Sequence, residues 1–419
     1  MNDLFYLFKT RRFAPLFWTQ FLGALNDNLF KNTLAVTLTF NAISWTTLPS
    51  TLIASIIGAV FILPFFLLSG LSGEIADRLD KARLARIVKI WEIILMLIAV
   101  VGFSLHSFWV LLAVVFGMGM HSTLFGPIKY SIIPQHMHNN ELIGANALIE
   151  SGTFGAILLG TIAAGVLAGT KNSGIIAASA GIILALIGYI FSRFIPSALP
   201  PARKKPFKIG FWKHTTDALR LAYHDRLTFL AILAISWFWL YGALLLSQFP
   251  ILVKDLFRGD EEYVTLIFSL FTLGIGVGSA LCERLSHHHV RYGIVVAGGI
   301  GMAVAGIDFA WGIWTFTSNG LLSQNIYFWR IIVDVTLLGI FGGLYSVPLY
   351  ALVQERSPPE ARSRIIAANN ILNAFFMVLG AVATIAILSM GHTIAWIFAC
   401  VALVTALIGY IIYTIRKEK

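Results

Sequence analysis

The sequence predicts an all-α membrane protein, with twelve transmembrane helices in two parallel-repeat six-helix bundles. Three observations carry that expectation. Of the 419 residues, 58% are hydrophobic and only 12% are charged, against a usual charged share of about 25%. So much apolar surface cannot be hidden inside one soluble domain, so part of it must face lipid. The second observation is the length of the apolar runs, and the third is a repeat between the two halves.

A helix that crosses a bilayer needs about 20 mostly apolar residues. Twelve runs meet that need: 13–40, 50–72, 86–105, 107–127, 142–169, 174–195, 227–253, 262–283, 291–315, 326–353, 364–388 and 392–415. Only "HSF" separates the third run from the fourth. The largest polar break lies between the sixth and seventh, from Pro196 to Arg226. It holds prolines, then a basic run, then a stretch that reads as an amphipathic helix. The chain therefore divides into a six-helix bundle at 1–195, a cytoplasmic linker at 196–226 near lipid head groups, and a second six-helix bundle at 227–419.

The repeat is visible as matched segments. Pro127 in "GPIKYSIIPQ" corresponds to Pro348 in "VPLYALVQ", and "LIGANALIE" (Leu142 to Glu150) corresponds to "IIAANNILN" (Ile365 to Asn373). "GEIADRL" (Gly73 to Leu79) pairs more weakly with "SALCERL" (Ser279 to Leu285). Parallel six-helix repeats are a recurrent plan of secondary transporters.

The net charge of +10 is a topology signal. With both termini cytoplasmic, the inner segments carry Lys9, Arg11, Arg12, the 78–89 cluster, Lys129, the 203–226 cluster, Arg284, Arg291, Arg356, Arg362, Arg364 and the tail. The opposite loops carry only Lys171, Lys254 and Arg258. That is the positive-inside bias, and it leaves no reason to expect a nucleic-acid partner. No cleavable signal peptide is expected, since "MNDLFYLFKTRRF" runs straight into a full-length span. Cys282 and Cys400 lie in apolar runs without a metal spacing or a disulfide pattern. His287 to His289, in a short cytoplasmic loop, read as solvated. No nucleophile elbow, phosphate loop or metal cluster suggests catalysis, and no cofactor is expected.

Polar residues at membrane depth are the candidates for function. Asn26, Asp27 and Asn28 stand together in the first span, with Lys31 one turn on. Asp27 is about 13 residues in, or roughly 20 Å at 1.5 Å per residue, near the midplane. A carboxylate there must face a cavity or a partner. It reads as a polar anchor in a substrate cavity, with an Asp27–Lys31 packing pair as the alternative. Glu150, with Asn146 one turn back, reads as cavity lining in the fifth span, and so do Asn369, Asn370 and Asn373 in the eleventh. Lys129, at the cytoplasmic end of span four, either snorkels to the interface or meets an anionic head group. Arg330 and Asp334, four residues apart in the tenth span, read as an internal pair. Asp308 stands alone, without a role.

Between the second and third spans, "GEIADRLDKAR" resembles the signature loop of the major facilitator superfamily. Gly73, Asp77, Arg78, Lys81 and Arg83 match it, while Asp80 stands where that family usually has a second glycine. Gly73 would permit close helix approach. Asp77 can accept hydrogen bonds at a helix end or pair with a base. The resemblance implies that these five residues gate the conformational cycle.

Five stretches widen the likeness: "QFLGALNDNLFKN", "GEIADRLDKARLARIVKI", "FGPIKYSIIPQ", "GANALIESGTFGAILLG" and "VPLYALVQERS". With them the chain resembles the bacterial lysophospholipid transporter family, closest to the branch fused to an acyltransferase, here expected without that domain. The resemblance implies a multi-pass protein of the bacterial cytoplasmic (inner) membrane, with membrane lipids around it. It would move lysophospholipids from the outer to the inner leaflet for reacylation by a separate acyltransferase. It also ties Asp27 and Lys129 to head-group handling. The chain departs from some members of that family in span seven, where "GALLLSQF" has no arginine, and from some in span eleven, where Asn373 stands in place of a glutamate. An apolar groove for one acyl chain and a small polar set for the head group suit this substrate. Asp27 and Glu150 fit an ammonium, and Lys129 fits a phosphate. The alternative is a proton-coupled transporter of another small amphiphile, such as a siderophore or drug.

Overall fold

The computed structural model describes residues 4–46, 50–200, 210–287, 289–317 and 321–417. Positions 201–209 of the linker, His288 of the histidine run and the last two residues of the tail lie outside the described residues. Among those described, twelve long helices carry the fold. They are α1 (Ala14–Trp45), α2 (Ser50–Ala76), α3 (Lys81–Ser104), α4 (Phe108–His136), α5 (Leu142–Ala168) and α6 (Ser173–Arg193), then α8 (Arg226–Ile251), α9 (Glu261–Ser286), α10 (Tyr292–Thr315), α11 (Ile326–Arg356), α12 (Arg362–Ser389) and α13 (Ile394–Lys417). In chain order the amphipathic α7 (Phe211–His224) falls between the sixth and seventh of these helices. Ten of the long helices are apolar enough by composition to cross a membrane, and Ile394–Tyr410 adds a shorter apolar helix. The protein is a multi-pass membrane protein.

Local chemistry fixes the ends. Pro15 occupies the first turn of α1, where a missing N–H costs nothing. Asp80 caps α3 by accepting the Ala82 N–H at 2.9 Å, and Asp260 caps α9 through the Glu262 N–H at 3.1 Å. The narrow "HSF" separation is a true helix break, since His106 adopts a left-handed backbone with φ of 51° between α3 and α4. Both flanking helices extend further than the apolar runs. α3 starts at Lys81, and α4 continues through Pro127 and Pro134 to His136. Proline is tolerated inside spanning helices because neighbouring groups satisfy the freed carbonyls. Here the Thr123 carbonyl, freed because Pro127 has no N–H, accepts the Ser72 hydroxyl of α2 at 3.1 Å.

These extensions correct one expectation, for Lys89, and give Lys129 its place in α4. The sequence groups Lys89 with the inner-loop cations, but it lies more than two turns inside α3 and is 1% exposed. Lys129 lies within α4, two turns before its end, with its ammonium 4.6 Å from the Tyr130 ring centroid.

The chain forms two compact units. Unit 1 comprises Met1–His138, Gly155–Arg226 and Gln354–Ile371; unit 2 comprises Asn139–Phe154, Leu227–Val353 and Leu372–Lys419. The units are therefore not the plain sequence halves. The first part of α5 belongs with the second unit and the first part of α12 with the first. These two segments hold the matched stretches "LIGANALIE" and "IIAANNILN" of the repeat.

In unit 1, α1, α3 and α4 meet in an apolar cluster that includes Phe30, Leu34, Met96, Phe103, Leu111 and Met118. Helices in lipid gain nothing from hiding apolar groups from water, so close packing must hold them. Gly70 shows this. A Cβ there would meet the Thr215 backbone nitrogen at 2.5 Å, so α7 can lie directly on α2. It does so through His214, Ala218 and Ala222, with Trp212 and Tyr223 exposed on the other face. In unit 2, Ile143 and Ala147 of α5 pack with Cys282, Leu344 and Val347.

Candidate functional site

Three consecutive polar residues on a helix point about 100° apart, and Asn26, Asp27 and Asn28 do so. Asn26 is fully buried, and its amide donates to Glu92 Oε1 at 2.7 Å and to the Gly181 carbonyl at 3.3 Å. Asn28 donates back to the Ala24 carbonyl of its own helix at 2.8 Å. Asp27 faces α4, where the Ser122 hydroxyl donates to Oδ2 and His121 Nδ1 lies 4.0 Å from Oδ1. The trio is thus spread over three faces, and only Asp27 presents a carboxylate. Lys31 does not supply the packing pair. Its ammonium lies 4.8 Å from the centroid of the Phe61 ring.

Around Asp27 lies a network that reading the sequence missed. Lys89 and Glu92, three residues apart in α3, form a buried ion pair. His121 of α4 places Nε2 2.9 Å from Glu92 Oε2. Exposure of Lys89, Glu92 and His121 is 1%, 0% and 3%. Charges this deep survive only when paired and hydrogen-bonded. Glu92 meets that condition with Lys89, His121 and Asn26. Asp27 does not: its Oδ1 is buried and accepts no hydrogen bond. A signal for Glu92 existed in the sequence, since an ionisable residue inside the run 86–105 is a functional candidate by itself.

The other anticipated lining residues lie elsewhere. Glu150 and Asn146 of α5 are fully buried in unit 2, where Asn146 donates to the Leu142 carbonyl at 2.8 Å. Asn373, also in unit 2, accepts the Ser236 hydroxyl at 2.9 Å. Asn370 belongs to unit 1, and its amide packs against Gly126 of α4. Asn369 is 2% exposed, and neither amide atom has a hydrogen-bond partner. Asp27, Glu150 and Asn373 are thus not gathered in one unit.

The loop after α2 is the most completely bonded polar feature. A Cβ on Gly73 would stand 2.7 Å from the Ser363 carbonyl and from Ala367, so glycine alone permits this approach to α12. Asp77, fully buried, accepts the Ser363 N–H at 2.9 Å, the Arg364 N–H at 3.3 Å and Arg364 Nε at 3.1 Å. It therefore caps α12 from another part of the chain, where the helix dipole favours negative charge. Burial pushes the Asp77 carboxyl above its ordinary value, against the opposing pull of Ser363 and Arg364. Arg78 pairs with Glu74, donating through Nε at 2.7 Å. Lys81 is buried at the start of α3, and Arg83 is exposed. Asp80 ties the loop to the linker by accepting Ser197 Oγ at 2.8 Å and the Ala198 N–H at 3.0 Å. Partial burial raises its carboxyl, but the bonds from Ala198, Ser197 and Ala82 outweigh that and hold it below the ordinary range.

In unit 2, Arg330 pairs with Asp308 of α10 and not with Asp334, with Nε donating to Oδ2 at 3.1 Å. This corrects two expectations together, the Arg330–Asp334 pair and the solitary Asp308. An i,i+4 spacing brings residues to one face but does not exclude a better-placed partner on the next helix.

Comparison with known proteins agrees with this architecture. The family model described as Major Facilitator Superfamily matches residues 16–381 and 259–419. The "Lysophospholipid transporter LplT" of Serratia proteamaculans (strain 568) is 26% identical over 351 residues, covering 83% of this chain and 81% of that protein. Its namesake in Enterobacter sp. (strain 638) is 27% identical over 345 residues, covering 80% and 78%. Among solved structures, the human organic anion transporter MFSD10 (TETRAN) superposes with a TM-score of 0.77 at 15% identity, covering 96% of this chain and 99% of that one. The E. coli fucose:proton symporter FucP gives 0.71 at 12% identity, covering 96% and 97%.

Proposed function

The chain belongs to the major facilitator superfamily, and from that premise we propose that it is a lysophospholipid flippase. It moves single-chain phospholipids from the outer to the inner leaflet of the bacterial cytoplasmic membrane by alternating access, with both termini cytoplasmic. A separate acyltransferase on the inner side would then reacylate them. The names of the similar proteins support the substrate class, and the distribution of Lys and Arg supports the orientation.

One observation carries the reading. Asp27 holds a carboxylate oxygen without a hydrogen bond at the middle of α1, fixed through its other oxygen by Ser122. Such a group is costly in lipid unless a ligand uses it, and the ammonium of a lipid head group is a matching partner. Asn26 ties α1 to Glu92 of α3 and to the Gly181 carbonyl, and Asn28 bonds back to its own helix beside Asp27. Lys129, beside Tyr130, remains the candidate for the phosphate, while Glu150, Asn370 and Asn373 are proposed to line the path. Gly73, Asp77, Arg78, Lys81 and Arg83 are proposed to gate it by clasping and releasing the start of α12.

The test is transport by purified protein in liposomes. A lysophospholipid labelled on its head group and added outside should become protected from an external quencher, while the diacyl lipid should not. If the labelled lysophospholipid is protected no faster than in protein-free liposomes, the reading is wrong.

A further inference from the structure

Asp308, Arg330 and Asp334 form a cluster that the function above does not use, and all three lie in unit 2. Gly312 of α10 lies against Ile331 of α11, and Gly301 against Phe341. The two helices therefore run side by side in opposite directions, and that register sets Asp308 close to the level of Asp334. Arg330 lies one turn before Asp334 on the same face of α11. Its Nε donates to Asp308 Oδ2 at 3.1 Å and its Nη2 to Oδ1.

The cluster faces lipid at the height of the head groups. α11 has 31 residues, roughly 46 Å of helix against a hydrocarbon core of about 30 Å. Centred in the membrane, its first turn stands in the head-group layer, and Arg330, the fifth residue of the helix, stands at the boundary. The charge distribution assigns that end to the outside. Aromatic residues mark the same level, since Trp311, Trp314, Tyr327 and Trp329 are all exposed, as in the belts at membrane surfaces. On α10 the exposed residues Ile300, Val304, Ile307 and Trp311 recur at helical spacing. They make one apolar stripe that runs from the belt toward the midplane. Beside it the side chains of Asp308 and Arg330 are 40% and 41% exposed.

The chemistry of the cluster selects a ligand. Arg330 has five N–H groups, and the pair with Asp308 uses two of them. The remaining ones suit the oxygens of a phosphate. Two carboxylates and one guanidinium leave an excess negative charge, which at this depth calls for a cation. Asp334 is 4% exposed, and its Oδ2 accepts no hydrogen bond. Carboxylate oxygens take N–H donors, so a primary ammonium fits better than a quaternary one.

We propose that the outer ends of α10 and α11 form a binding site for a phospholipid whose head group carries both a phosphate and a primary ammonium, the ethanolamine class. The phosphate meets Arg330, the ammonium meets Asp308 with the charge of Asp334 behind it, and an acyl chain lies along the stripe from Trp311 to Ile300. The ligand is a two-chain lipid of the surrounding bilayer, because the cluster opens sideways to lipid. The site does not rest on the lysophospholipid reading.

Native mass spectrometry of the delipidated protein, titrated with two-chain phospholipids of identical chains, reads this binding without any transport. The ethanolamine lipid should bind at least about tenfold tighter than the choline lipid, which has no ammonium N–H for a carboxylate. The glycerol lipid, with a phosphate and no ammonium, should bind as weakly as the choline lipid. Arg330→Gln and Asp308→Asn, both at half-exposed positions, should each bring the ethanolamine lipid down to that level. Equal affinity for the three lipids in wild type, or a preference that survives either change, overturns the proposal. The wild-type series decides by itself if a variant does not fold. A single-chain ethanolamine lipid should bind no tighter than its two-chain counterpart. A tighter hold on the single-chain lipid overturns the assignment to a bilayer lipid and makes the cluster a substrate subsite.

Discussion

Unit 1 and unit 2 each place carboxylates inside spanning helices, and they balance them differently. In unit 1 the carboxylate of Glu92 meets Lys89, His121 and Asn26, and no member of that group is more than 3% exposed. In unit 2 Asp308 and Arg330 pair at a half-exposed surface, while Asp334 beneath them lacks a cation of its own. The difference follows from desolvation. A fully buried charge must be matched within the protein, whereas a half-exposed one can draw on its surroundings. Among the described residues, Asp27 Oδ1 in unit 1 and Asp334 Oδ2 in unit 2 are buried carboxylate oxygens that accept no hydrogen bond.

The comparison can be broken at four places. The largest effect is expected at Asp27. Asp27→Asn should abolish flipping while the protein still folds, because asparagine keeps the volume but removes the charge that meets an ammonium. The variant Asp27→Asn with Lys31→Met should be stable and equally inactive in the liposome assay. Near-normal flux in the double variant would mean that Asp27 only offsets Lys31.

Stability should then separate the two units. Glu92→Ala leaves Lys89 as an uncompensated buried cation and should cost about 3–5 kcal/mol. The double change Glu92→Leu with Lys89→Met should recover most of that loss. Asp308→Ala removes a half-exposed partner and should cost about 1 kcal/mol or less. Thermal unfolding in detergent measures all three, and equal losses for Glu92→Ala and Asp308→Ala would erase the contrast.

A smaller, kinetic effect is expected at the gate. Asp77→Asn removes the charge that meets Arg364 and the amino end of α12, so it should slow transport while binding stays intact. Binding and flux measured separately decide this, and a proportional loss of both would move Asp77 into the binding site. An effect as small as that of Asp308→Ala is expected at Asp80. Its carboxyl is held below the ordinary range, so its contribution is present above that range and is lost as pH falls through the lowered value. Asp80→Ala should cost about 1 kcal/mol as a lost helix cap and should flatten the acid limb of the stability profile.

The sequence by itself determined a good deal. Lipid imposes long apolar runs, so the spanning helices, the break at "HSF" and the amphipathic α7 were all legible. The cost of a carboxylate at mid-span singled out Asp27, and the spacing of Gly73 and Asp77 marked the loop that caps α12. Only the tertiary structure decided the partners. Lys89 read as a loop cation because it stands near the start of an apolar run, and nothing local shows that α1, α3 and α4 converge on Glu92. Arg330 read as the partner of Asp334 because four residues make one helical turn, yet Asp308 of the neighbouring helix holds it. Hydrophobic runs report the solvent around a helix, residue by residue. An ion pair instead depends on distances of a few ångströms between groups far apart in the chain, and those distances exist only once the helices have packed.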